Sequence, residues 1–482
     1  MPDTKPIVIM GAGPAGLTAA WELVRAGKDV VVWEADPTYV GGISRTVQAE
    51  GFRFDIGGHR FFSKSEEVNE VWRQIMPDDF IDCPRLSRIY YKNKFFNYPM
   101  EAMDSFIKLG PVETVRCVLS YAKAWLKPIK PELTFAQWVT NRFGERLFNI
   151  FFKSYTEKVW GLSCDEISAD WAAQRIKGLS LVEAALNAFK GKKAPATAKT
   201  LIRNFFYPRL GPGQMWETAA EKIMAAGGKV LLDRRVKTIH WDETGVTHVT
   251  GNNQQGEFFQ QEGSWFLSSI PLKELMLSLD PPPPKNVLAA ARALRYRDFL
   301  TVCLVVDRAK VFPDTWISIH DPSVKVGRVQ NYKNWSAAMV PNPEQTSLGM
   351  EYFCFEGDGM WTSTDFDLAQ LAIREAVQIG LIKEGEVKDA FVVRMQKAYP
   401  IYDQHYQGHL KVIREWVSQF ANLQPVGRNG MHHYNNQDHS MMTAMLAARN
   451  IMGAQYDCWK VNTEAEYHED DNSKRKEDDS KD

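Results

Sequence analysis

The chain has 482 residues, 44% hydrophobic and 24% charged, which is the balance of a soluble globular enzyme of more than one lobe rather than a single core. A formal net charge of −1 excludes a global field that would draw nucleic acid, so an anionic ligand has to be held by local arginines. The six cysteines (Cys83, Cys117, Cys164, Cys303, Cys354 and Cys458) stand singly, which argues against a disulfide framework or a metal site and for reduced core thiols.

The opening MPDTKP runs straight into a strand and does not read as a secretory leader. No apolar run approaches the roughly 18 residues of a membrane span. The expectation is a cytoplasmic protein with no integral membrane span and no nucleic-acid partner. A homo-oligomer is compatible with the sequence.

Residues 6–10 (PIVIM) form a short apolar run that ends at a glycine turn, as a buried parallel strand does. Leu17, Ala20, Trp21 and Val24 then follow helical spacing, Gly27 stops the helix, and DVVVWE at 29–34 gives the next strand. Together they make a βαβ unit. Residues 66–200 are rich in Phe, Trp and Lys with few strand signals and read as an inserted helical domain. Within them LNAFKGKKAPATAK at 186–199 reads as a mobile loop. Strand patterns return at 229–239 and 264–270, and DPPPPK at 280–285 marks a surface boundary. Residues 299–307, 327–333 and 348–355 read as a second sheet, and 436–452 as a helix. The charged tail from Glu464 lacks the apolar content to fold.

The fold expected is thus α/β, a Rossmann-type nucleotide-binding domain with an inserted helical domain and a second, sheet-based substrate domain. Its pieces are assigned as 1–65, 201–290 and 396–460 for cofactor binding, 66–200 for the helical insertion and 291–395 for substrate. Residues 461–482 form a disordered tail.

GAGPAG at 11–16 carries the cofactor assignment. Gly11 makes the tight turn, Gly13 lets backbone approach a pyrophosphate, and Gly16 lets the helix pack on the strand; Pro14 and Ala15 open that helix, whose N-terminus offers free amides to phosphate. Glu34 ends the second strand, where a carboxylate accepts from ribose hydroxyls. VGGISRT (40–46) and FDIGGHRF (54–61) add glycine pairs and Arg45, enough to track a ligand longer than NAD. These segments resemble the flavin-binding signature of the amine oxidase and protoporphyrinogen oxidase superfamily. The resemblance implies FAD, with Gly42 and Gly58 lining it, Arg45 on its phosphates and the backbone of Val236 on its adenine.

Four further segments set the subclass. GGHRFFS (57–63), YTEKVWG (155–161) with Arg175, GRVQNYKNWS (327–336) and GRNGMHHYNNQDHS (427–440) resemble motifs of UDP-galactopyranose mutases, especially the eukaryotic form. RLGPGQMW (209–216) and KAYPIYD (397–403) also fit. The resemblance covers most of residues 6–452. It implies a pyranose–furanose mutase of a nucleotide-diphosphate sugar, in which N5 of reduced flavin is the nucleophile on the anomeric carbon and NAD(P)H is a possible reductant.

By the same resemblance His59 abuts the flavin, and Arg175 and Arg328 clamp the diphosphate with charge-assisted bonds. Tyr399 and Tyr434 add hydroxyl donors, Trp160 and Trp335 are aromatics of the substrate cleft, Arg428 lies near flavin and substrate, and Asn436 faces the sugar. Each side chain also has a plainer role open to it: His59 and Trp160 in the core, the arginines in ion pairs, the tyrosines half-buried, Asn436 as a helix cap.

Two departures stand out. The spacing from Tyr434 to Asn436 is shorter than in the mutases. In FNYPME (96–101), Met100 and Glu101 replace the residues that read uracil, so Glu101 is expected to accept from a different base, such as guanine. The alternative function is an FAD oxidoreductase of the amine oxidase, protoporphyrinogen oxidase or desaturase type. A flavin-holding scaffold without catalysis is the third, and it leaves Arg175, Arg328, Tyr399 and Tyr434 without a common purpose.

Overall fold

The computed structural model describes residues 5–98, 102–176 and 204–462. The segment expected to be a mobile loop (186–199), the tail beyond residue 462, and Met100 and Glu101 lie outside the described residues, while Asn462, inside the segment assigned to the tail, donates to Tyr434 O at 3.2 Å.

A five-stranded parallel sheet organises the cofactor lobe, in the order Leu423–Pro425, Trp265–Ser268, Ile7–Met10, Val30–Trp33, Lys229–Leu231. Its first strand is central and wholly buried, which is why it reads as a continuous apolar run. Alternate side chains serve two cores. Ile7 and Ile9 pack with the helices Pro14–Arg25, Pro212–Ala225 and Gln437–Ile451, while Val8 and Met10 face a four-stranded sheet built around Arg235–Asp242 and Gly245–Asn252.

The second sheet has seven strands, in the order Val387–Pro400, Tyr296–Val306, Thr346–Cys354, Arg328–Asn331, Trp316–Ile319, Ser87–Tyr91, Lys94–Tyr98. Tyr296–Val306 lies one strand in from the edge, between Val387–Pro400 and Thr346–Cys354, and is buried along its whole length. One face is covered by the helix Asp365–Gln378 through Leu368, Ala372 and Ala376. The other face carries Phe299, Phe353 and Tyr399 toward the cleft.

Two expectations need correction here. Residues 80–98, read as part of a helical insertion, form three strands, two of which complete the seven-stranded sheet. The alternating aromatics of SRIYY and KFFNY favour strands, and Lys92 and Asn93, both at positive φ, make the two-residue turn that hairpins prefer. The boundary at 395 falls inside the strand Val387–Pro400, which runs continuously from the sheet into the cleft. The helical lobe proper begins at Ala102 and includes Pro111–Leu126, Phe135–Leu147, Ser154–Trp160 and Ala169–Ile176. All six cysteines are buried and unpaired. Among the described residues no helix is long and apolar enough to cross a membrane, and no cluster of potential metal ligands occurs.

Candidate functional site

Two of the three glycines in the turn sit in contacts that tolerate no side chain. Gly11 sits at φ +102°, and a Cβ on it would stand 2.4 Å from Ser269 Oγ. A Cβ on Gly16 would lie 1.9 Å from the Gly11 carbonyl oxygen, so the helix can approach the first strand this closely only with glycine there. Gly13 precedes Pro14, the first helical residue, and faces Gly42, whose own Cβ would be 3.3 Å from Gly13 Cα. The 40–42 loop is held across the helix start by the Gly41 amide donating to Ala12 O (2.8 Å). No acidic residue occupies the helix's first turn, so its positive end is not neutralised by the chain.

Glu34 stands where the second strand ends. Its carboxylate accepts from the amides of Ala12 (2.7 Å) and Asp36 (2.9 Å), tying strand end to glycine turn. Burial raises its pKa, and those two amides pull it back. The Arg234 amide donates to Glu34 O (2.8 Å), which brings Val236 alongside at the start of its strand. Val236 pairs with Gly251 just before a register shift, a place where backbone leaves the ladder. Arg45 is paired with Asp36 and lies over Tyr39, while its Nε is buried with no protein partner.

At the other end the hairpin Thr46–Ala49/Phe52–Asp55 delivers the Gly57–Gly58–His59 turn. Gly57, at φ +86°, marks the point of convergence. A Cβ there would lie 3.6 Å from His59 Nε2, 4.0 Å from Arg328 Nη2 and 4.0 Å from the Tyr399 hydroxyl. His59 Nε2 also meets Ile56 O at 2.7 Å. Burial, then the charges of Arg428 and Arg328, push its pKa down to about 3, so the imidazole is neutral at physiological pH.

Arg328 begins its strand, and its Nε donates to Glu351 Oε2 at 2.5 Å. Gln330 Nε2 donates to the other oxygen (2.8 Å), and the Glu351 side chain is wholly buried. Burial opposes charge on Arg328, but Glu351 beside it outweighs that and holds the guanidinium protonated. Nε is thereby committed to Glu351 while Nη2 faces the Gly57 turn.

Aromatic rings form one wall. Tyr399 and Tyr434 stack with centroids 5.9 Å apart, Trp160 meets both at 6.3 and 5.9 Å, and the Arg428 guanidinium lies 4.9 Å from the Tyr434 ring centroid. Arg428 is oriented by its Nε donating to Asn435 O (2.7 Å). Its short helix is pinned against the first one, since a Cβ on Gly427 would lie 2.9 Å from Ala15 Cβ. Asn436 is the N-cap of Gln437–Ile451, with its amide donating to His439 Nδ1 at 3.3 Å, so its place is that of a helix cap.

Trp335, expected in the substrate cleft, is as buried as Trp160, and its contacts place it. Its Nε1 donates to Thr315 O and Gln330 Oε1, and its ring stands 3.3 Å from the Cβ position of Gly58. It backs the turn instead of lining the opening, because the aromatic cluster of Phe205, Tyr207 and Trp316 draws it inward. Arg175 belongs to the helix Ala169–Ile176, and its side chain lies outside the described residues.

Three participants were not identified from sequence. Glu351 was the most legible, since a lone carboxylate in LGMEYFCF breaks an otherwise apolar strand. Asp55 accepts from Tyr207 Oη and Thr46 Oγ1 directly before the turn, and burial raises its pKa to about 7. Tyr155 stacks on His320 at 4.6 Å and lies in the field of Arg328. Nothing in its spacing marks it out.

The residues present fit a dinucleotide flavin. Gly11 and Gly16 admit no side chain, Gly13 leaves the turn open to close approach, and Arg45 Nε and Gln437 Nε2 are both buried without protein partners. The first of these lies beside the Gly41 loop that crosses the helix start, the second at the N-terminus of the helix Gln437–Ile451.

Comparison with known proteins agrees. The family model for flavin containing amine oxidoreductases matches residues 14–382. A putative flavin-containing monoamine oxidase of Mycobacterium tuberculosis is 24% identical over 295 residues, 59% of this chain and 61% of that protein's length. A probable UDP-galactopyranose mutase of Klebsiella pneumoniae is 26% identical over 176 residues, 35% of this chain and 44% of that one. Among solved structures, reduced UDP-galactopyranose mutase superposes with a TM-score of 0.81 over 96% of both chains, at 21% identity, which establishes likeness of fold.

Proposed function

The chain belongs to the flavin containing amine oxidoreductase family, and from that premise we propose that it is an FAD-dependent nucleotide-sugar pyranose–furanose mutase. The observation that carries this reading is the convergence of His59 Nε2, Arg328 Nη2 and the Tyr399 hydroxyl on the Gly57 turn. An oxidase or desaturase acting on an apolar substrate gains nothing from a protonated arginine there. A diphosphate does. The mutase-like motifs of the sequence and the mutase-like fold support the same reading.

Gly11, Gly13, Gly16, Glu34, Gly42, Arg45 and Val236 would hold the adenosine diphosphate half of FAD, and Gly58, His59 and Arg428 the flavin half. Bound and reduced, FAD supplies the nucleophile for exchange at an anomeric carbon. The chain's own residues do the rest. Arg328, fixed by Glu351, and Arg175 take the diphosphate and hold its charge as it leaves and returns. Tyr399 and Tyr434 donate hydroxyls to the same oxygens, and Trp160 with the tyrosine pair walls the sugar from water. His59 stays neutral, its Nε2 donating to Ile56 O, and so adds no charge beside the diphosphate.

The test is anaerobic incubation of dithionite-reduced protein with a panel of nucleotide sugars, with products resolved by NMR. A ring-isomerised sugar is expected. No isomer, together with reduction of the oxidised flavin by an amine or porphyrinogen, would establish the oxidoreductase reading that the monoamine oxidase relative favours.

A further inference from the structure

The helix Pro111–Leu126 is joined to the molecule by one face only. Cys117 and Ala124 are buried at 2% and 7% exposure, and at 3.6 residues per turn they share one side. Diametrically opposite runs a stripe of Val112, Val115, Leu119 and Leu126, which are 65%, 57%, 64% and 69% exposed. Val118 (55%) and Trp125 (70%) extend it along one flank. Single exposed apolar side chains are ordinary, but six along one 16-residue helix form a continuous patch of the kind that marks an interaction site.

Charge identifies the occupant. Arg116, Lys123 and Lys127 line the other flank of the stripe, Arg116 within 3.7 Å of Glu113, and Lys130 stands just beyond the helix C-terminus, while Lys108 before the helix is paired with Asp104. Against these, Glu113 is the sole acidic residue between 107 and 130, and it turns inward to Arg146. The whole chain is at −1, so the basic excess is local to this face. A second copy paired through the same stripe would set the two basic flanks together when the helices run antiparallel, or lay them over Val118 and Trp125 when parallel. Neither arrangement supplies an acidic partner. An apolar stripe with a tryptophan at its edge and cations beside it matches the boundary between acyl chains and anionic headgroups.

We propose that the outer face of Pro111–Leu126 is a peripheral docking surface for an anionic lipid bilayer, lying in the plane of the membrane and leaving the catalytic cleft in water. The surface is independent of the reaction proposed above.

The test is co-sedimentation of the full-length, FAD-loaded protein with vesicles of phosphatidylcholine alone or with roughly 30% phosphatidylglycerol. Binding is expected to the anionic vesicles only, and to fall as salt is raised. Val115→Glu/Leu119→Glu should abolish it, and Lys123→Gln or Lys127→Gln should each weaken it about fivefold. Phe366→Glu, an exposed apolar side chain on another helix, should leave it unchanged. Flavin content per chain reports that each variant is folded. Failure to bind anionic vesicles overturns the proposal, as does binding indifferent to the stripe variants. An oligomer in sedimentation velocity that Val115→Glu/Leu119→Glu dissolves also overturns it and makes the face a protein interface.

Discussion

Replacing Arg328 by alanine separates its structural and binding roles. In the parent, the wholly buried Glu351 carboxylate has two donors, Arg328 Nε at 2.5 Å and Gln330 Nε2 at 2.8 Å. Removing the guanidinium leaves a buried charge with one amide donor, a loss of about 3–5 kcal/mol, which is a large part of the roughly 5–15 kcal/mol that holds a domain folded. Burial already raises the Glu351 pKa and Arg328 is what lowers it, so the variant's carboxyl should take up a proton. A raised native pKa contributes stability below the unfolded value and loses it as pH rises, so Arg328→Ala should be more damaged at pH 8 than at pH 5. Arg328→Ala/Glu351→Gln removes the stranded charge and should recover most of the stability. It should not recover ligand. Loss of a buried charged partner costs about 2–5 kcal/mol of binding, roughly 30- to several-thousandfold in Kd. Urea midpoints at both pH values and calorimetric titration of nucleotide sugar into FAD-loaded protein measure the two effects. A single variant within about 1 kcal/mol of the parent, or a double variant that binds as the parent does, would refute the reasoning.

Three further outcomes are expected. Gly16→Ala should purify with little FAD, because its Cβ would meet the Gly11 carbonyl at 1.9 Å with only backbone available to move; parent-like flavin absorbance per chain would contradict this. Gly57→Ala, strained by roughly 1–2 kcal/mol at positive φ, should keep FAD yet lose nucleotide-sugar affinity, since the methyl occupies the space between His59, Arg328 and Tyr399. Acid should destabilise the fold. Burial holds His59 and His320 down at about 3 and His432 at about 4, so the unfolded chain gains three protons below pH 6.5 that the native one refuses. Asp55, raised to about 7 by burial, returns one, because the native state keeps that proton down to the unfolded carboxyl range. These four groups leave a net slope of about two protons, roughly 2.7 kcal/mol per pH unit, with stability falling from pH 6.5 toward 4. His320→Gln should flatten a urea-midpoint series by about one proton, and an unchanged slope would show that the ring is not held neutral.

The cofactor end of the molecule was largely determined by local sequence. GAGPAG lies between an apolar strand and a helix within 20 residues, with Gly11 at positive φ and Gly16 required by the Gly11 carbonyl beside it. Glu34 follows at the end of the next strand, in the same unit. Such short-range units are legible because their geometry is set by φ, close approach and strand burial. The other end of the candidate site is assembled from 57–59, 160, 328, 351, 399 and 428, and only the packing of the sheets and the helical lobe brings these together. Sequence resemblance pointed to Arg328 and Tyr399 but could not reveal that Glu351 fixes the arginine, a register partner 23 positions away across adjacent antiparallel strands. Nor could it tell Trp335 lining a cleft from Trp335 backing a turn, since both are aromatic on the same strand–helix junction and only the rings of Phe205, Tyr207 and Trp316 decide. Local pattern fixes which residues can bind a dinucleotide; long-range packing decides which charges are buried, which are paired, and therefore which remain to meet a substrate.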